Sequence, residues 1–141
     1  MAWLQREIQL PFFPKGCHSI SPQILEALPE LAKIQIGLLH IFVKHTSASL
    51  TINENADPSV LADLDRVMDT LADVNFPYYH QEEGPDDMPA HVKASLFGSS
   101  LTVPIREGRL LLGTWQGICF CEHRQHAPRR KIVLTIQGEG E

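Results

Sequence analysis

The feature that most constrains the fold is an apolar run from Ile34 to Val43, which is long enough for a strand and apolar on both faces. A strand of this kind is typical of the centre of a sheet, where both faces are covered. The run delivers His45 to its polar end, and hydroxyl, amide and carboxylate side chains follow as far as Asp57. Because binding residues concentrate where strands end, we predict that part of a functional site lies between His45 and Asp57.

Strand patterns occupy much of the remaining chain. Alternating side chains predict a half-exposed strand from Trp3 to Leu10, and the residue types at Ser47–Ile52 favour a further strand after the apolar run. From residue 100 onward the pattern is one of short strands, with a hairpin turn at Arg106–Gly108 and a last strand at Lys131–Gln137. These elements together predict a mainly antiparallel sheet.

Three helices are predicted between these strands. Ser21 stands before a proline and is predicted to cap the first helix, and Asp57 opens the longest helix in the same way, as far as about Ala72. A short helix is predicted to begin at Pro89. We therefore expect one α+β domain over residues 1–141, a mainly antiparallel sheet with two or three helices packed on it.

Composition narrows the classes of function. The formal net charge of −5 argues against a general nucleic-acid binder, which would carry a basic face. No apolar run approaches the roughly 20 residues of a membrane span, and the first residues lack the layout of a signal peptide. Three cysteines cannot all pair within one chain, and Cys119 and Cys121 share a face of one predicted strand. We expect a reduced, cytoplasmic protein with no nucleic-acid and no membrane partner.

Three of the seven histidines stand at element ends or on a polar loop: His45, His80 and His91. Neutral imidazole is a common ligand for zinc and similar metals, and three such ligands leave a position open for water or substrate. His80 belongs to a proline- and acid-rich loop from Asn75 to Pro89, whose length favours a binding loop. Three unrelated surface histidines would give the same pattern. The sequence pattern alone therefore leaves two interpretations open, a three-histidine metal site and three separate surface residues.

Two carboxylates are candidates for acid–base chemistry, because a carboxylate beside a metal-bound water can act as a general base. Asp57 directly precedes a proline, and such an aspartate is typically a helix N-cap. Glu54 has no such structural explanation and is the better catalytic candidate.

Other polar residues suggest an anion site. Ser47, Lys93 and Arg130 can hold a phosphate or carboxylate through charge-assisted hydrogen bonds, although a basic pair beside a strand is commonly a solvated edge. Trp115 and Gln116 can supply a stacking face and an amide, although a tryptophan there commonly fills a core. The amide of Asn53 joins this set of candidate substrate-binding residues.

Four blocks of the sequence resemble the YjbQ family. The blocks begin at His45 with HTSASLT, at Asn53 with NENADP, at Glu83 with EGPDDMPAHVKAS and at Leu112 with LGTWQGI, and their order matches the family. The resemblance extends over nearly the whole chain, from residue 3 to residue 138. Four blocks in matching order are far more specific than any single motif.

The resemblance implies an α+β fold, a homotrimer and a histidine-lined pocket that holds a divalent metal, zinc in the first place and magnesium as the alternative. It implies His45, His80 and His91 as the metal ligands and His123 as an alternate ligand. It also implies Glu54 and Asp57 as polar neighbours. The pocket wall would contain Trp115 and Gln116.

Members of this family are often labelled secondary thiamine-phosphate synthases, which join a hydroxymethylpyrimidine diphosphate to a thiazole phosphate with loss of pyrophosphate. We therefore expect a metal-dependent enzyme that acts on a small phosphorylated or anionic ligand. A three-histidine site prefers zinc, whereas diphosphate chemistry prefers oxygen ligands and magnesium, so a hydrolytic or lyase reaction suits the histidines at least as well. The alternative is a non-catalytic trimeric protein that binds a metal or an anion.

Overall fold

Eight strands and three α-helices follow one another along residues 2–140, the part of the chain that the structure, a computed structural model, describes. The strands are β1 (Ala2–Gln9), β2 (Gly16–Ser19), β3 (Ile34–Val43), β4 (Ala48–Glu54), β5 (Ser100–Arg106), β6 (Arg109–Leu110), β7 (Gln116–Glu122) and β8 (Lys131–Gly140). The helices are α1 (Ser21–Ala27), α2 (Pro58–Leu71) and α3 (Asp87–Phe97), with a 3-10 helix at Pro29–Lys33. Among these described helices, none has the length and apolarity that crossing a membrane requires.

The strands form two antiparallel sheets. The larger sheet has the order β1-β8-β3-β5-β6, and the smaller has the order β2-β7-β4. β3 is therefore the middle strand of the larger sheet, as its apolar run predicted. The α+β class, with three helices packed on antiparallel sheets, is confirmed. The division of the strands between two sheets is a feature that the sequence pattern did not reveal.

The core lies between the two sheets. Leu39 and Ile41 of β3 are fully buried there together with Leu50 of β4 and Phe120 of β7. Side chains alternate between the faces of a strand, so Ser49 of β4 and its register partner Cys121 of β7 point to the opposite face of the smaller sheet. That face is covered by helices, since α2 packs against β2 and α3 packs against β4.

Only one face of β3 is covered, and on this point the prediction of a strand buried on both faces is wrong. Ile36 and Leu38 point away from the core and are 66% and 46% exposed. The helices leave this face open because they pack on the smaller sheet. A strand that is apolar on both faces thus gives the larger sheet an apolar outer surface.

The predicted start of α2 is confirmed, whereas the predicted starts of α1 and α3 differ from the structure. Asp57 is the N-cap of α2, as predicted, and its Oδ1 accepts a hydrogen bond of 2.9 Å from the Ser59 N–H. Ser21 is not a cap, because it is the first residue of α1 and its hydroxyl accepts a hydrogen bond from the Ile118 N–H. α3 begins at Asp87, two residues before the predicted start at Pro89.

The hairpin predicted at Arg106–Gly108 is confirmed, with β5 and β6 paired around it. Glu107 and Gly108 have φ values of 52° and 76°, and two positive φ values in a two-residue turn are typical of type I′. The turn packs against the chain before β3, where a Cβ on Gly108 would lie 2.5 Å from the carbonyl oxygen of Ala32. Glycine is therefore required at this position.

Candidate metal centre

The first turns of α3 present an acid and an imidazole on one face of the helix. Asp87 and His91 are four residues apart, a spacing that places two side chains next to each other. His91 Nε2 lies 3.0 Å from Asp87 Oδ2. The carboxylate also stands at the positive end of the helix dipole, which favours its charged form.

The loop before α3 brings two more donor groups to this face. His80 Nε2 lies 2.8 Å from the same Asp87 oxygen and 3.1 Å from Glu83 Oε2. One donor atom from each of the four residues lies within 4.8 Å of the others. This four-residue cluster can hold a metal ion and consists of His80, Glu83, Asp87 and His91.

Asp87 is the centre of the four-residue cluster and is 3% exposed. Its second oxygen, Oδ1, accepts a hydrogen bond of 2.9 Å from Arg124 Nη1. Burial acts to raise the pKa of Asp87, but the hydrogen bond from His80 and the charges of His91 and Arg124 outweigh it and lower the pKa. The hydrogen bond to Asp87, followed by that to Glu83, raises the pKa of His80.

Arg124, in the segment that follows β7, fixes the loop in this position. Its guanidinium donates to the Glu83 carbonyl oxygen at 2.9 Å and contacts both carboxylate oxygens of Asp86. The hydrogen bond to Asp86 is the main cause that raises the pKa of Arg124. A fixed guanidinium of this kind orients the carboxylates of the loop before any ligand binds.

The surroundings of His91 fit a metal ligand. Its Nδ1 lies 2.9 Å from the Thr46 carbonyl oxygen, which only accepts, so Nδ1 carries a hydrogen and donates. Its Nε2 then faces the Asp87 carboxylate, which is also an acceptor, and either a proton or a metal ion between them satisfies both groups. Histidines that ligate metals commonly donate their other ring N–H to a backbone carbonyl in this way.

A cleft of about 490 Å³ opens beside His91. Its lining includes the polar side chains of Thr46, Ser95 and Ser99. The lining also includes His45, so two of the three histidines predicted as ligands face the same space. Within residues 2–140, the lining of this cleft contains neither lysine nor arginine.

His45 is held differently from the four-residue cluster. Its Nε2 accepts a hydrogen bond of 2.9 Å from the Lys131 N–H, and its Nδ1 lies 3.3 Å from Arg130 Nη1. Burial, followed by the charge of Arg130, lowers the pKa of His45. Because Nε2 already accepts from the backbone and Nδ1 faces the Arg130 guanidinium, His45 lines the cleft without joining the cluster.

The predicted anion ligands are buried and already have partners. Arg130 is 6% exposed and holds Glu122 through two hydrogen bonds of 2.7 Å, with a third to Ser47 Oγ at 2.9 Å. Lys93 is 2% exposed and forms an ion pair with Asp69. These contacts stabilise the fold around the cleft.

His123, the alternate ligand, lies away from the four-residue cluster. It lines a second cavity of about 280 Å³ together with Lys93. Its Nε2 is 2.7 Å from Ser49 Oγ, and its buried Nδ1 has no hydrogen-bond partner among the described residues. Burial, followed by the charge of Lys93, lowers the pKa of His123 to about 3. The ring is therefore neutral at physiological pH.

The other predicted site residues lie at the far end of β4. This strand begins beside the cleft at Ala48 and ends six residues later at Glu54, which corresponds to about 20 Å at 3.3 Å per residue. Glu54 is paired in register with Gln116 of β7. Within one chain, the far end therefore keeps five residues apart from the four-residue cluster: Asn53, Glu54, Asp57, Trp115 and Gln116.

Sequence reasoning did not assign roles to Glu83, Asp87 and Arg124. The spacing of Asp87 and His91 places two donors on one helical face, but the predicted helix start at Pro89 left Asp87 outside the helix. Arg124 lies 37 residues from Asp87 in sequence, and no local pattern connects them. His80 and His91 were identified because they stand outside apolar runs.

Known proteins of one family match this chain over nearly its full length. A family model described as UPF0047 protein YjbQ-like matches residues 6–139. The UPF0047 protein YjbQ of Salmonella typhimurium is 52% identical over 138 residues, which cover 97% of this chain and 99% of that protein. A UPF0047 protein of Methanocaldococcus jannaschii is 46% identical over 120 residues, covering 85% of this chain and 83% of that protein.

Solved structures show the same fold. A protein of the YjbQ/UPF0047 family from Clostridium acetobutylicum superposes with a TM-score of 0.79 at 34% identity, covering 95% of this chain and 99% of that chain. A YbjQ-like protein from Sulfolobus solfataricus gives a TM-score of 0.86 at 24% identity, covering 98% and 99%. At that lower identity the likeness concerns the fold alone.

Proposed function

The chain belongs to the UPF0047 family of YjbQ-like proteins, and on this basis we propose that it is a metal-dependent enzyme acting on a small phosphorylated or anionic substrate. The observation that carries the proposal is the four-residue cluster of His80, Glu83, Asp87 and His91 next to an open cleft. In this proposal His45 contributes to the cleft wall, and Asp87 takes the third ligand position beside His80 and His91.

Zinc is the proposed ion. Two imidazole nitrogens and one carboxylate oxygen suit zinc or a similar transition metal better than magnesium, which prefers oxygen ligands and retains several waters. Three ligands also leave one position open for water or substrate. A divalent cation bound here would offset the charge of an anionic substrate and polarise its oxygen atoms.

The residues of the chain itself supply orientation and proton transfer. Thr46 and Arg124 hold His91 and Asp87 in place, so these groups need little reordering when a ligand arrives. Glu83 is the more exposed carboxylate of the cluster, and its Oε2 lies 3.1 Å from His80 Nε2. We assign Glu83 the role of general base, because it can exchange a proton with solvent or substrate.

The charges around the cleft limit the substrate. The lining residues in the described chain include no lysine or arginine, and nearby Arg124 and Arg130 already hold carboxylates. A bound metal would therefore be the main positive charge available to a phosphate, and anion binding should require the metal. The thiamine-phosphate synthase reaction implied by the resemblance is the specific activity to test.

The same shortage of free cations favours a second candidate function. Diphosphate chemistry commonly uses several cations to offset developing charge. A protein that binds a metal and a small anion without turnover needs fewer cations, because no additional charge develops on the bound anion. The second candidate is therefore a non-catalytic metal- or anion-binding protein with the same cluster and cleft.

The central experiment measures metal content and turnover in the same preparations. Purified protein with zinc is supplied with the two precursors of thiamine phosphate, and product is quantified by chromatography. We expect His91→Ala and Asp87→Asn to lower zinc affinity by at least about 100-fold, since loss of second-layer contacts alone costs 10–100-fold. Turnover should fall in parallel.

His126→Ala is the matched control, because His126 is an exposed histidine outside the four-residue cluster. It should retain both zinc and activity. Zinc binding without turnover would support the second candidate. Unchanged zinc binding in both His80→Ala and His91→Ala would contradict both functions, because the cluster would then not be the metal site.

We also propose that the chain forms a homotrimer through the outer face of its larger sheet. Trp3 of β1, Leu38 of β3 and Pro104 of β5 lie in one row across this face, as the strand registers show. Phe42 lies further along the same face and is partly exposed. An apolar face without helices is typical of a surface that another subunit covers.

A further inference from the structure

Two thiols face each other on neighbouring strands of the smaller sheet. Cys17 of β2 and Cys121 of β7 are direct register partners in an antiparallel pair. The Cys121 thiol donates to the Cys17 sulfur, and the two sulfur atoms are 2.7 Å apart. Both cysteines are free thiols, and the proposed metal function uses neither of them.

The backbone geometry is compatible with a bond between them. Directly opposite residues in an antiparallel pair have Cα atoms about 4.5 or 5.5 Å apart, and disulfides span Cα separations of about 4.4–6.8 Å. The observed sulfur separation exceeds a disulfide bond by only about 0.7 Å. A small rotation of two side chains is therefore sufficient, without movement of either strand.

The two sulfurs differ in access and in acidity. Cys17 is partly exposed, whereas Cys121 is buried. The hydrogen bond from Cys121 is the largest cause that lowers the pKa of Cys17, and the charge of Lys15 also contributes. The same hydrogen bond, with burial, raises the pKa of Cys121. Cys17 is thus both the more accessible and the more acidic of the two thiols.

We propose that Cys17 and Cys121 form an oxidisable dithiol that a hydroperoxide converts to an intramolecular disulfide. In the first step, the Cys17 thiolate attacks one peroxide oxygen, the O–O bond breaks, and Cys17 becomes a sulfenic acid while the other oxygen leaves as water or alcohol after taking a proton. In the second step, Cys121 loses its proton and attacks the Cys17 sulfur. The S–S bond forms, the S–O bond breaks, and water leaves. Two thiols thereby lose two electrons and two protons to one peroxide.

Cys119 provides an internal control. It is buried, its thiol donates to the Gly117 carbonyl oxygen, and burial is the main cause that raises its pKa to about 11. It lies two residues from Cys121 on the same strand, a separation that suits a disulfide poorly. Oxidation should therefore leave Cys119 as a free thiol.

The experiment treats reduced, full-length protein with one equivalent of hydrogen peroxide and then alkylates the remaining thiols with iodoacetamide. Intact mass should show the loss of two hydrogens and a single alkylated cysteine, and peptide mapping should join Cys17 to Cys121. Dithiothreitol should restore three alkylation sites. The wild-type mapping alone decides the proposal, so it does not depend on the folding of any variant.

Three variants then test the roles of the two thiols. Cys119→Ser should still form the disulfide, Cys17→Ser should not react, and Cys121→Ser should stop at a sulfenic acid that dimedone traps. A disulfide that includes Cys119, a covalent dimer, or three alkylated cysteines after oxidation would overturn the proposal. None of these outcomes bears on the metal site, which contains no cysteine.

Discussion

Several charged side chains of this protein form ion pairs in which at least one partner is buried. Arg130 and Glu122 form an almost fully buried pair, and the buried Lys93 of α3 pairs with the half-exposed Asp69 of α2. A buried pair adds little net stability by itself, because both ions lose their hydration. Removal of one partner is costly, because the other remains as an uncompensated charge.

Glu122→Gln should therefore lower the free energy of unfolding by about 3 kcal/mol, because the buried guanidinium of Arg130 loses its counter-charge. Urea denaturation measures this change. Asp63→Asn is the control, since Asp63 forms an exposed pair with Arg66 and should change stability by less than about 0.5 kcal/mol. A loss below about 1 kcal/mol for Glu122→Gln would show that water reaches this pair.

Asp69→Asn should make the stability less dependent on acid pH. Burial acts to raise the pKa of Asp69, but hydrogen bonds from Lys15 and Lys93 outweigh it and lower the pKa. A lowered folded-state pKa adds stability above the unfolded value of about 3.9, and this stability is lost as pH falls through the folded value.

At pH 6 we expect the Asp69→Asn variant to be less stable by about 1–3 kcal/mol, allowing for solvent screening of a half-exposed carboxylate. Below about pH 4 the difference from the wild type should shrink. Thermal unfolding followed between pH 3 and pH 6 measures both values. A difference that stays constant over this range would contradict the assignment.

At the scale of the elements, the turn between β5 and β6 has the strictest sequence requirement. Gly108→Ala should destabilise the protein by about 1–3 kcal/mol, because a Cβ would meet the Ala32 carbonyl oxygen at a positive φ. Glu107→Asn should be neutral or stabilising by up to about 1 kcal/mol, since asparagine accepts the left-handed conformation more readily than glutamate. Chemical denaturation of both variants gives the comparison. Equal losses in the two would show that the turn relaxes.

Element boundaries also explain which parts of the site the sequence could reveal. The patterns located β3 and the cap of α2 because their signals, an apolar run and an aspartate before proline, are local. They missed Asp87 because a two-residue error at the start of α3 removed it from the face of His91. They missed Arg124 because its contact with Asp87 depends on how the segment after β7 is placed beside the start of α3, and sequence spacing carries no record of that packing.

At the scale of the whole molecule, the open face of the larger sheet determines how copies of the chain associate. Its apolar residues lie on β1 and β3, on the side away from the core and the helices. The sequence predicted the strand correctly but could not show what covers it, because a helix and a neighbouring subunit favour the same apolar residues.

Phe42→Asp should convert the proposed trimer to a monomer, because a carboxylate buried in an apolar contact loses its hydration without a partner. Sedimentation velocity measures the change. Leu71→Asp is the matched control, since Leu71 is also exposed but lies on α2. A wild-type protein that sediments as a monomer, or a Phe42→Asp variant that remains a trimer, would contradict the proposal.

The position of β8 also affects when the protein can fold during synthesis. β8 lies between β1 and β3, so the strands on its two sides have no partner at that position until β8 exists. The chain must therefore be synthesised through β8 before the larger sheet can close, and shorter nascent chains expose bare strand edges. Chains that lack β8 should therefore be prone to aggregate through these unpaired edges.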